Sequence, residues 1–424
     1  MRKLLVLLVA GGSLWLVPGA FAAGWCGSGE TSTDVPDIVT GPQIHAVVAV
    51  PADGADTFAT DSGRIADDVA AMSSWWTGQD PTRVPRFDLA TFPGGTCLDI
   101  SLLRLPEPAA AFLDPNPEVD AQALFTDIGV VLGTSSRRSS YKKYLVYYDG
   151  PALPADPSGE ICGAGGGDFS TGPGFADVMV NDCAGVPIDT VATHELLHAL
   201  GAVPPGDTNP LLCPGDPGHP CDSRTDILYP YSSAQPLSSL VLDYNHDDYY
   251  AHPGTWPDIQ DSAWLTHLDV PPFPLTVTFS GAGTVSSDLP GVDCTAACTT
   301  QWQQGTAVSL SATATAGSRF IRWSGACTGS VDCQLTLSQP QSLTAVFGPL
   351  RIQVRLTTKG KGRVACSPAC SKSFPAGDPL HLRAVAAKGW RFTGWGGGAC
   401  KGKRLTCSPT TDFAVSVRAT FRRR

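Results

Sequence analysis

The stretch Thr190-Val-Ala-Thr-His194-Glu195-Leu-Leu-His198-Ala-Leu-Gly201-Ala-Val203 decides how this chain folds. His194 and His198 are four apart, so on a helix they stack on one face and both imidazoles reach a single metal. Glu195 places a carboxylate beside the first ligand, where it can take a proton from metal-activated water. H-E-x-x-H therefore predicts a zinc hydrolase; two histidines meeting by accident on a charged helix is the bland alternative. The helix should begin near Pro187–Thr190, with Asp189 or Thr190 as cap. It should bury Leu196, Leu197 and Leu200, and stop where Gly201 takes a positive φ.

Around that helix the composition is that of an exported protein. A length of 424 residues implies two to four domains, and 45 Gly with 36 Pro imply many turns and much β structure. Arg2 and Lys3, the apolar run Leu4 to Leu16 and Ala20-Phe21-Ala22 read as a secretory signal over residues 1–22. No later stretch is long and apolar enough to span a membrane. The 14 cysteines fall into even blocks: Cys26, Cys97, Cys162, Cys183, Cys213 and Cys221, then four in 294–333 and four in 366–407. Even blocks predict disulfides closed within domains in an oxidising compartment. An even count also favours a disulfide at Cys26 over a free thiolate masking a metal.

Upstream of the motif, Gln43 to Pro51 reads as a buried strand. A helix is expected from about Ser62, capped by Asp61 or Ser62, with Ile65, Val69, Met72 and Trp76 as one apolar stripe. Further strands are expected at Leu98–Leu105 and Lys143–Asp149, and an edge strand at Phe175–Asp182. Ile161 to Asp168, rich in glycine, lacks any phosphate-binding spacing and reads as a flexible loop pinned by Cys162 to Cys183.

Downstream of residue 273 helical periodicity ends and an internal repeat begins. Cys294 and Cys298 recur 72 residues later as Cys366 and Cys370, and Phe320 and Trp323 recur as Phe392 and Trp395. The repeats resemble the disulfide-bearing β modules that bacterial secreted proteins carry behind a catalytic or adhesive domain. Local pairing within Cys294, Cys298, Cys327 and Cys333, and within Cys366, Cys370, Cys400 and Cys407, is expected. Trp323 and Trp395 are expected as core residues rather than a sugar platform. Residues 23–274 hold 9 Lys and Arg against 34 Asp and Glu, a net of −25; residues 351–424 hold 16 against 2, a net of +14. A basic module behind an acidic domain suits retention on an anionic cell-surface polymer; nucleic acid is not an expected partner of an exported chain.

His194 to Gly201 resembles the metzincin zinc endopeptidases, whose extended motif is H-E-x-x-H-x-x-G-x-x-H. Thr225-Asp226-Ile227-Leu228-Tyr229-Pro230 resembles the turn that metzincins place beneath the metal, with Leu228 in the methionine position. The resemblance implies an α+β catalytic domain over 23–273, a mixed twisted sheet plus an active-site helix, followed by small all-β repeats at 274–349 and 350–424. It implies one catalytic zinc and a protein or peptide substrate. Pro204 stands where the third histidine belongs, and proline cannot bind zinc. Glu195 is the last glutamate in the chain, which removes a downstream Glu ligand. His219, on a short loop that Cys213 and Cys221 can close, is the expected third ligand. Asp207 is the alternative, and His246 a weaker one. Tyr229 or Tyr231 is expected to assist the transition state.

Asp243, Asn245, Asp247 and Asp248 could bind calcium, as oxygen-rich loops do. Their spacing is not that of an EF-hand, so a solvated turn or helix cap is the expectation. The alternative to a secreted zinc endopeptidase is a catalytically decayed surface-binding or adhesion protein. Intact Glu195 favours the enzyme; Pro204 and Leu228 favour the alternative. A cell-wall amidase would use other ligand spacings.

Overall fold

The computed structural model describes residues 25–27, 39–112, 123–124, 126–131, 141–151, 162–167, 172–181, 185–204, 209, 212–230 and 234–424. The expected signal segment, Asp207, Tyr231 and Cys183 lie outside the described residues. The chain is mostly β with few helices, and divides into Met1–Asp269 and Val270–Arg424.

In the first unit β1 (Gln43–Val50) is buried at every position. It lies inside a sheet that needs β5 (Ile100–Arg104), β6 (Lys142–Tyr148), β7 (Gly163–Gly167) and β8 (Gly174–Met179) to complete it. The order is β5-β1-β6-β8-β7; the first four run parallel and β7 runs antiparallel at the edge. Ile44, Ala46, Val48 and Val50 face one core, shared with the helices α1 (Phe58–Gln79) and α2 (Ile188–Ala199). Val47 and Ala49 face another, with Leu103, Phe112, Tyr144 and Met179. Covered on both faces, β1 reads as a continuous apolar run. Short pairs complete the unit: β2 (Arg83–Pro85) with β11 (Leu265–His267), β3 (Leu89–Phe92) with β4 (Gly95–Leu98), and β9 (Leu212–Cys213) with β10 (Asp216–Pro220).

Helix α1 starts earlier than its stripe suggests. Neither Asp61 nor Ser62 caps it; Thr57 precedes its first residue, and Asp56 Oδ1 accepts the Phe58 N–H at 3.1 Å. Phe58 extends the apolar face and packs edge-on against Trp25 at 5.3 Å. The run expected at 98–105 breaks at Asp99, where β4 ends and β5 begins. The largest correction concerns the glycines: Gly163–Gly167 is the edge strand, and β8, expected at the edge, lies inside the sheet. A Cβ at Gly165 would fall 2.4 Å from Glu195 O, and one at Gly167 would fall 2.2 Å from Ala199 O. The glycines therefore let a strand lie against the backbone of α2.

Disulfides join Cys26 to Cys97 and Cys213 to Cys221, and Cys162 is also disulfide-bonded. In the second unit, each repeat pairs its first long strand in parallel with its last, Phe273–Ser280 with Gln341–Pro349 and Arg351–Lys359 with Val415–Arg423. A second sheet closes each core. The four remaining bridges are local: Cys294–Cys298, Cys327–Cys333, Cys366–Cys370 and Cys400–Cys407. Trp323 and Trp395 are buried, their indole N–H groups donating to Val331 O and Arg404 O, each at 2.8 Å. Ile321 and Val346 of the first repeat sit in one apolar cluster with Ile352, Phe374, Val417 and other residues of the second. Among the described residues no helix is long and apolar enough to cross a membrane.

Candidate metal centre

Helix α2 is buried almost all round: Val191 shares the face of the two histidines, Ala192, Leu196, Leu197 and Ala199 cover the rest, and Gly201 ends it at φ +100°. Its first turn differs from the expected cap. Pro187 precedes the helix, and Asp189 Oδ1 accepts the neighbouring Thr190 N–H at 2.9 Å. Proline suits this position because the first amide of a helix has no intrahelical acceptor.

One face of α2 presents His194 and His198, ring centroids 5.1 Å apart. His219 reaches them from β10, in a hairpin closed by the Cys213–Cys221 bridge. Its Nε2 lies 3.2 Å from His194 Nε2 and 3.4 Å from His198 Nε2. Two imidazole nitrogens bound to one tetrahedral zinc at about 2.05 Å stand about 3.3 Å apart. The opposite nitrogen of each ring faces an oxygen: His194 Nδ1 meets Ile227 O at 2.7 Å, His198 Nδ1 meets Ala202 O at 3.4 Å, and His219 Nδ1 lies 2.9 Å from Asp216 Oδ2. The hydrogen bonds of His194 and His198 select the tautomer that leaves Nε2 free to ligate, whereas Asp216 lies close to His219 Nδ1 without hydrogen-bond alignment.

Burial holds His194 well below the usual histidine range, with the charges of His198 and His219 adding to it. Burial and then His219 push His198 down to about 4. Both rings are therefore neutral near pH 7, the form a metal binds. Glu195 moves the other way, pushed up to about 8 by burial and by the charge of Asp177.

The turn after the hairpin supports the site from below. Asp226 Oδ1 accepts the Leu228 N–H at 2.7 Å and the Tyr249 O–H at 2.9 Å, which holds Ile227 O toward His194. Leu228 is fully buried. Tyr229 is half-buried, with the Arg224 guanidinium 5.5 Å from its ring centre. His246 is exposed, its Nδ1 3.2 Å from Tyr250 O, and it joins no metal-ligating group among the described residues.

Two residues of this neighbourhood carry little signal in sequence. Asp216 sits three before His219 in a loop of Pro and Gly, where it reads as a turn former. Asp177 lies in an alternating run that reads as a half-exposed strand, yet it is buried, and burial raises its carboxyl to about 8. The acidic run after Leu242 also differs from its expectation. Asp243 and Asp248 are buried, Asp247 is half-buried, and Tyr244, Asn245 and His246 are exposed, so the acidic residues themselves do not form a solvated turn.

Residues 273–350 and 352–424 match the family model described as the divergent InlB B-repeat domain. No curated protein matches the chain. Among solved structures it is similar to wild-type OgpA from Akkermansia muciniphila, at 10% identity and a TM-score of 0.28, over 91% of this chain and 98% of that one. Catalytically inactive OgpA in complex with an O-glycopeptide (glycodrosocin) substrate is similar at 10% identity and a TM-score of 0.26, over 91% and 97%. At these TM-scores the likeness does not establish a shared fold.

Proposed function

We propose that His194, His198 and His219 hold one zinc ion and that the first unit is a secreted, metzincin-like endopeptidase. The observation that carries this reading is the convergence of three Nε2 atoms at tetrahedral-edge spacing, with each Nδ1 facing an oxygen. The donor set is also the one zinc favours, and the residue beside it is a buried carboxylate. Zinc, when bound, supplies Lewis acidity that polarises a peptide carbonyl and lowers the pKa of water. Glu195 takes the proton of the attacking water and returns it to the leaving amine nitrogen. Its proton affinity, raised by burial, suits a group that must both accept and donate near neutral pH. A cation at the three imidazoles would draw that affinity down again.

The second unit supports a separate role, retention on an anionic surface polymer. Arg391, Lys403 and Arg422 border a pocket of about 510 Å³ that Phe392 and Trp395 also line. With the net charge of the repeat, this favours sugar- or phosphate-bearing polyanions over peptide ligands.

The deciding experiment measures metal content and cleavage of a general protein substrate together. Wild type should carry one zinc and cleave; Glu195→Gln should keep the zinc and lose activity by roughly 10²–10⁴-fold; His219→Ala should lose both. Undiminished cleavage by Glu195→Gln sinks the mechanism, and full zinc content in His219→Ala sinks the third ligand.

A further inference from the structure

Asp222, Asp247 and Asp248 each offer a carboxylate oxygen to a common point, the three oxygens lying within 4.8 Å of one another. Two oxygens on opposite sides of one calcium ion, at about 2.4 Å each, reach that separation. Asp248 is fully buried, and its two oxygens differ in their partners. Oδ1 accepts from Asn209 Nδ2 at 2.8 Å, whereas Oδ2 is sealed from solvent with no donor. Asp247 Oδ1 is sealed and unpaired in the same way. Carboxylate oxygens withdrawn from water without a partner are strongly destabilising.

No Lys, Arg or His among the described residues pairs with any of the three. The buried group around Asp88 differs in having a cation of its own. Asp88, beside His45 and Asp99, has its own cation in Lys142, whose Nζ is 2.7 Å from Asp88 Oδ2. Neighbouring Asp243 is likewise accounted for, since its carboxylate accepts the backbone N–H groups of Tyr249 at 2.8 Å and Tyr250 at 2.6 Å. Burial, and then, against the Asn209 hydrogen bond, the charges of Asp243, Asp222 and Asp247, push Asp248 up to about 7. Asp222 is raised by burial and by Asp247.

We propose that Asp222, Asp247 and Asp248 form a calcium site that clips the His219 hairpin to the 243–251 loop. Oxygen-only donors of variable angle suit calcium, whereas magnesium demands near-ideal octahedral geometry. Asp222 follows Cys221, whose bridge closes the hairpin carrying His219. The opposing loop is tied to the other side of the metal centre through Tyr249 and Asp226. A cation here fixes β10 at its C-terminal end. The consequence for His219 rests on the zinc reading; calcium binding itself does not.

The test titrates calcium into the chelator-stripped full chain, with and without zinc restored, by calorimetry and thermal unfolding. Asp222→Asn and Asp247→Asn serve as variants, since both side chains reach solvent and both changes are isosteric. One calcium per chain is expected, with the unfolding temperature rising roughly 5–10 °C at a hundredfold excess over Kd and less in magnesium. Each Asn variant should weaken binding at least about tenfold, because charge count tunes such sites. Absence of heat and of a thermal shift in wild type overturns the proposal, as does wild-type affinity in both variants. A chain that binds calcium but never zinc sinks only the hydrolase reading. Calcium should also slow the loss of zinc to a chelator; an unchanged rate overturns the link to His219.

Discussion

His219 Nδ1 lies 2.9 Å from Asp216 Oδ2, within one hairpin and three residues apart. A carboxylate placed behind the ring in this way restricts the orientations that His219 can take toward a metal on its far side. Asp216→Asn should therefore lower zinc affinity about 10–100-fold while leaving the fold intact. Competition with a chelator of known affinity measures it; an unchanged zinc constant would show that the hairpin alone orients the ring.

The glycine strand gives a paired prediction. A Cβ at Gly165 would fall 2.4 Å from Glu195 O and 2.8 Å from His198 Cβ, whereas one at Gly166 would meet nothing within 4 Å. Gly165→Ala should displace α2, with a stability loss of about 1–3 kcal/mol and loss of zinc. Gly166→Ala should stay within about 1 kcal/mol of wild type. Equal behaviour of the two variants in urea unfolding and zinc content would mean that β7 does not press on the helix.

Asp177 makes stability depend on pH. Burial raises its carboxyl in the folded chain to about 8, above the unfolded value of about 3.9. The folded chain keeps this proton between those two values and the unfolded chain does not. The contribution is thus complete below about pH 4 and is lost at about 1.4 kcal/mol per pH unit as pH rises toward 8. Asp177→Asn should gain on wild type progressively across that window. A stability difference that is the same at pH 5 and pH 8 would contradict the assignment.

Surface retention is better tested by charge than by deletion. Arg319 pairs with Asp378 at 3.3 Å and Arg322 with Asp412, so removing 351–424 also strips ion pairs and apolar cover from the first repeat. Joint Arg391→Ala, Lys403→Ala and Arg422→Ala substitution leaves that contact in place. It should weaken binding to an anionic polymer at low salt and flatten the salt dependence. Binding identical to wild type would exclude the pocket as the contact.

What the sequence made legible was local. The 194/198 spacing, the helix stop at Gly201 and the short cysteine spacings each follow from chain geometry over a few residues. The proximity of His219 to His194 and His198 was legible because few histidines follow the helix and two cysteines bracket this one. Gly163–Gly167 was illegible for the opposite reason: its glycines answer to a helix that passes close by in space, and in one dimension they look like slack. The burial of Asp177 and Asp248 leaves no local mark, because alternation and charge suggest solvent, while strands and loops elsewhere in the chain cover them.

The apolar cluster that takes Ile321 and Val346 from one repeat and Phe374 and Val417 from the other has a consequence for inheritance. A duplicated module normally stays expendable, since either copy can be lost while its twin still folds. Here each copy covers part of the other's interior. Loss of one would leave the survivor with exposed isoleucine and valine, so removing either copy should destabilise its twin.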